Sequence, residues 1–159
     1  MKYAKRTLCA VLAVVMFVGC MSLFGCSSSQ KKTAMDFDAA VEKMEDAGLE
    51  VTVLDDSVLT EGYERACYAQ AERYIAEFYK MESFDRALQL QEDVMANVLE
   101  GETVSADVAV SGENYAVEHF TANGKYYAVS VIDDTALLVY GNEDAKDLIK
   151  DFAESFGYN

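Results

Sequence analysis

The sequence predicts an α+β fold: a mostly antiparallel sheet of about five to six strands, with three helices packed mainly on one face. Three observations predict it. Asn123-Gly124 separates two runs rich in β-branched and aromatic residues, the strongest short hairpin signal, because both residues tolerate the positive φ of a two-residue turn. Three segments repeat apolar residues at helical spacing, each followed by a glycine: Gly48, Gly101 and Gly157. Along the chain the order is helix, three strands, helix, three strands, helix, which suggests two similar halves around one sheet.

The first helix is expected over 36–47, where Phe37, Val41 and Met44 share a stripe beside Ala40. Leu49, Val51 and Val53 then alternate with Glu50 and Thr52, which reads as a strand ended by Asp55-Asp56-Ser57. Residues 58–81 carry two signals. Alanines with Glu, Arg and Lys suit a helix, but the aromatic stretch from Tyr74 to Tyr79 suits strands at 66–70 and 73–81 joined by a tight turn. Ser83 is placed to cap the second helix, whose stripe is Phe84, Ala87, Leu88, Val94, Met95 and Val98. Strands follow at 115–122, 125–132 and 135–140, the last two joined by Asp133-Asp134. The final helix carries Ala145, Leu148, Ile149, Phe152, Ala153 and Phe156 on one face.

The domain organisation is set by the first 35 residues. Residues 1–6 are basic and 7–25 are apolar and uncharged, the pattern of an export signal. Leu23, Phe24 and Gly25 lead to Cys26, and Ser27, Ser28 and Ser29 open a polar tether over 26–35. A single domain is expected over 36–159. Leu23-Phe24-Gly25-Cys26 resembles the lipobox of bacterial lipoproteins, with Phe24 replacing the usual small residue. That resemblance implies a diacylglyceryl group on the Cys26 thiol, cleavage before Cys26 by lipoprotein-processing enzymes, and acyl chains such as palmitate in the membrane. A second box, Phe17-Val18-Gly19-Cys20, leaves Cys20 as the alternative. An uncut signal anchor is the other reading of the leader, and either one puts the domain outside the cytoplasm. The layout of the rest is similar to small lipoproteins of Gram-positive bacteria, through Phe37, Met44-Glu45, Gly48 and Val51, then Tyr74, Glu77-Phe78 and Phe84, then Asn123-Gly124-Lys125-Tyr126. Those proteins have no established activity, so the likeness bears on fold and location.

Charge excludes some functions. The leader takes three of the 13 basic residues and none of the 28 acidic ones, leaving a net charge of −18. Such a surface repels phosphate backbones and anionic headgroups, so no nucleic-acid partner is expected and the lipid is the expected contact with the membrane. With Cys26 acylated, Cys67 has no intramolecular disulfide partner and reads as a small buried hydrophobe.

Few residues of the chain are of the types that carry chemistry. His119 is the one histidine, and Cys67, His119 and Glu118 are the one set that resembles a nucleophilic triad, with no spacing that requires it. No zinc-type ligand set or phosphate-binding glycine loop occurs. The pairs Asp36 and Asp38, Asp55 and Asp56, and Asp133 and Asp134 offer hard oxygens to calcium but match no calcium loop, and acidic pairs are common turn formers. No catalytic residue, metal or cofactor beyond the diacylglycerol is assigned. Nine tyrosines follow the leader. If one sheet face is open, Tyr74, Phe78, Tyr115 and Tyr126 are the candidates for a strip that contacts an envelope protein or a glycan. The expected function is a membrane-anchored, non-enzymatic binding or accessory lipoprotein. The alternatives are a structural envelope protein acting through assembly and, third, a small hydrolase.

Overall fold

The computed structural model describes residues 31–99 and 104–159. The expected leader, its lipobox residues and Cys26 lie outside them. Seven strands form one antiparallel sheet, one more than the upper end of the expected range. Helix α1 (Phe37–Asp46) leads to β1 (Val51–Val53), β2 (Tyr63–Gln70) and β3 (Tyr74–Met81). Helix α2 (Phe84–Val98) carries the chain across the sheet to β4 (Ser105–Ser111). Strands β5 (Tyr115–Ala122), β6 (Lys125–Ile132) and β7 (Thr135–Asn142) meander back, and helix α3 (Lys146–Ser155) follows. The strand order is β1-β2-β3-β7-β6-β5-β4, so the two halves join where β7 pairs with β3.

The caps follow the local chemistry. Asp36 accepts from the backbone N–H groups of Asp38 and Ala39, and Ser83 Oγ accepts from that of Arg86. Asn123 and Gly124 both take positive φ, 53° and 71°, as the two-residue hairpin requires. The strand missed in the sequence is β4, Ser-Ala-Asp-Val-Ala-Val-Ser. Serine, alanine and aspartate have low β propensity, and this strand is formed by its pairing with β5.

Side-chain parity divides the core between the two faces. Ala76 and Phe78 of β3 pack with Phe37 and Met44 of α1, Ile149 and Phe152 of α3, and Tyr158. Their neighbours Tyr79 and Met81 point the other way and pack with Ala87, Leu88, Val94 and Met95 of α2. Two helices thus lie on one face and the third crosses the other. One backbone contact is too close for a side chain. A Cβ on Gly141 would sit 2.4 Å from the carbonyl oxygen of Arg73, the residue that leads into the facing strand β3. Gly141→Ala is therefore expected to cost about 1–3 kcal/mol by forcing β3 and β7 apart. Urea unfolding would read this as a lower midpoint, and an unchanged midpoint would contradict the close approach.

Candidate functional site

Of the four residues expected to form an open strip, three are core. Phe78 and Tyr126 have no exposed surface and Tyr115 is 4 % exposed. Tyr74 is half-buried, its ring 5.3 Å from that of Phe152. All four share one face, and it is the face under α1 and α3. The expected strip is thus buried, and on the opposite face, which α2 crosses, Tyr68 alone of the described aromatics is exposed.

That second face carries Tyr63, Tyr68, Tyr79, Tyr127 and Tyr140. Phe120, Tyr127 and Tyr140 occupy paired positions on β5, β6 and β7. Their rings stack, with centroids 5.1 and 5.9 Å apart and planes within 16° of parallel. Beside the stack, Glu77 accepts a hydrogen bond from Tyr140 Oη at 3.1 Å and another from Tyr79 Oη. Tyr68 pairs with Glu77 across the β2–β3 ladder and is 41 % exposed. Burial and the nearby carboxylate raise the Tyr79 hydroxyl well above the usual range and push the Tyr140 hydroxyl up to about 12. Both phenols stay protonated and act as donors to Glu77. This arrangement orders the tyrosines without using up Tyr68.

Helix α2 leaves one corner of this face uncovered. It starts beside Met81 and ends near the β5–β6 turn, where Asn123 Nδ2 donates to the Val98 carbonyl at 3.3 Å. The corner at the β2–β3 turn holds a depression of about 290 Å³, bounded by Gln70, Ile75, Lys125 and Tyr140. A second of about 470 Å³ continues past Gln70 to Tyr68 and Thr52. Together they form a shallow, mostly polar groove in which Tyr68, Ile75 and Tyr140 lie among Thr52, Gln70 and Glu72. Arg73 at the rim is held by Asp144, through its carbonyl at 2.7 Å and its carboxylate at 3.0 Å.

The other expected chemistry is dispersed. Cys67 lies on β2 and His119 on β5, four strand intervals apart, about 19 Å at the usual strand spacing. Glu118, next to His119 in a strand, faces the opposite side of the sheet. Burial pushes the Cys67 thiol up to about 11 and the His119 imidazole down to about 4, so neither is activated. The hydrolase triad does not assemble from these residues. His119 belongs instead to a clasp on the covered face. A bulge in β4 turns Asp107 toward Lys146 of α3, with Lys150 at 3.8 Å, and both ammonium groups lie over the Tyr126 ring at 5.1 and 5.7 Å. The pair with Lys146 holds the Asp107 carboxyl below the usual range.

The acidic pairs have local partners. Asp38 binds Arg65 at 2.8 Å, and this holds its carboxyl below the usual range. Asp55 accepts from the Ser57 N–H at 2.8 Å. Asp133 accepts from Asn114 Nδ2 at 2.9 Å, and Asp134 pairs with Lys80. Among the described residues no three acidic, histidine or cysteine side chains converge as a metal would need. Nor is any described helix long and apolar enough to cross a membrane.

No protein-family model matches the chain, and no curated protein matches it. Among solved structures it is similar to a GTP binding regulator from Thermotoga maritima, at 16 % identity and a TM-score of 0.48, over 77 % of this chain and 87 % of that one.

Proposed function

We propose that this chain is a lipid-anchored, extracytoplasmic binding module that holds an envelope protein or glycan in the groove beside Tyr68 and Tyr140. The observation that carries the binding reading is the ordered tyrosine face around Glu77, left open by α2 at one corner. Aromatic surface of this kind contributes binding energy at low entropic cost, because tyrosine has few rotatable bonds to immobilise. The anchoring half of the reading rests on Leu23-Phe24-Gly25-Cys26 and the polar residues behind it. Two or three acyl chains would hold the domain at the membrane, since each buried methylene contributes about 0.8 kcal/mol.

The test is retention of the purified protein on isolated cell-wall glycan and, separately, on detergent-solubilised envelope proteins. Tyr68→Ala and Tyr140→Ala are each expected to weaken retention about tenfold, an order of magnitude typical of a central aromatic contact. A surface control, Glu154→Ala on the far side of α3, should bind as the parent does. Equal retention of all three variants on both materials would remove the groove from the reading. Intact mass of the membrane-extracted protein tests the anchor, and an uncleaved Met1 would sink it.

A further inference from the structure

The segment expected to be a free tether is attached to the domain from Lys31 onward. Asn114, in the β4–β5 turn, grips the backbone of Lys32 from both sides. Its Oδ1 accepts from the Lys32 N–H at 3.1 Å and its Nδ2 donates to the Lys32 carbonyl at 2.7 Å. The same Nδ2 donates to Asp133 in the β6–β7 turn at 2.9 Å. Lys31 pairs with Glu113 at 2.9 Å, and the Lys32 ammonium lies 5.0 Å from the Tyr115 ring centroid. Ala34 and Met35 pack against the core, and the Met35 N–H donates to Tyr158 Oη at 3.4 Å.

These contacts lie at one end of the sheet. Asn114 precedes β5 and Asp133 follows β6, whereas Ala71-Glu72-Arg73 and Asn123-Gly124 turn at the opposite end. An eight-residue strand spans about 27 Å, so the groove corner and the docked segment are separated by about that distance. Lys31 lies five positions after Cys26, a reach of at most about 18 Å when fully extended.

We propose that the docked segment sets the domain's orientation on the bilayer, with the Asn114–Asp133 end facing the membrane and the tyrosine groove facing away from it. The inference rests on lipidation at Cys26. It supplies what a binding module on a short leash needs, a ligand site held clear of its own membrane.

The test uses membrane-extracted full-length protein reconstituted into phosphatidylcholine–phosphatidylglycerol vesicles with an acceptor dye on a headgroup. Glu82→Cys, at the docked end of β3, and Glu143→Cys, at the far end of β7, each carry one donor dye. Cys67 is 1 % exposed and stays unlabelled. Energy transfer to the membrane is expected to be at least twofold greater from position 82 than from position 143. Adding Asn114→Ala should shrink that ratio by releasing Lys32. With Cys26 acylated by intact mass, equal transfer or the reverse order overturns the orientation and leaves the anchor standing. An unmodified Cys26, or acylation at Cys20 with its longer leash, overturns the anchor assignment and the orientation with it.

Discussion

Replacing Tyr158 by alanine is expected to destabilise the domain by about 3–5 kcal/mol, the range for removing a fully buried aromatic ring. Nothing in its position near the end of the sequence suggests this, since terminal residues are usually frayed. Yet Tyr158 has no exposed surface, and its ring meets Phe78 edge-on at 5.9 Å. Its hydroxyl hydrogen-bonds with Thr135, and its backbone carbonyl accepts from Ser130 Oγ at 3.1 Å. Gly157, after α3, turns the chain so that this ring enters the core. Tyr158→Phe should cost only about 1 kcal/mol, because it removes the hydroxyl contacts and keeps the ring. Chemical denaturation of the two variants gives the comparison. A loss below about 1 kcal/mol for the alanine variant would mean that the ring is not seated. The Tyr158 hydroxyl also accepts from the Met35 N–H, so Tyr158→Ala is also expected to loosen the docked segment.

The second large effect is on acid stability. His119 is 4 % exposed, and its Nε2 has no hydrogen-bond partner among the described residues. Burial, with a smaller contribution from the charge of Lys150, holds its folded-state pKa near 4, against about 6.5 for an exposed imidazole. The unfolded chain therefore takes up a proton first as pH falls. Stability present above pH 6.5 is lost progressively as pH falls toward 4, by on the order of 3 kcal/mol in total. Glu118 opposes this loss in part. Burial raises its carboxyl, so the folded state binds that proton more readily than the unfolded state does. The imidazole contribution is isolated by comparing urea midpoints of the parent and His119→Phe from pH 7 to 4. The variant should lose less stability over that interval, and parallel curves would show that His119 is not buried uncharged.

Much of the fold could be read from local signals. Asn123-Gly124, the Ser83 cap and the α3 stripe each depend on residues within a few positions of one another, so short-range chemistry decides them, while Asp36, expected as the first helical residue, caps α1 instead. Strand β4 could not be read this way, because a run of Ser, Ala, Asp and Val becomes a strand only when β5 presents its edge. The candidate site was half legible. Alternation puts Tyr74 and Phe78 on the face opposite Ile75 and Tyr79, and Tyr126 opposite Tyr127, and the strands keep that parity. Which part of either face stays open depends on where the helices lie. Alternation has no sign, so both assignments fit the sequence equally well. Glu77 carried a usable signal, a carboxylate at the same parity as Tyr79 in a strand otherwise poor in charge.

The sequence by itself determined the helix stripes, the hairpins, the acidic balance and the lipobox-like approach to Cys26. All of these are properties of neighbouring residues or of the composition. Only the tertiary structure decided that α2 crosses alone, that Tyr158 closes the core, and that Asn114 holds the segment behind Cys26. Those contacts join residues 82 positions apart for Asn114 and Lys32 and 123 for Tyr158 and Met35. Pairing at that separation depends on the sheet order, in which α2 sends the chain to the far edge and β7 returns it to β3. No local period encodes that route.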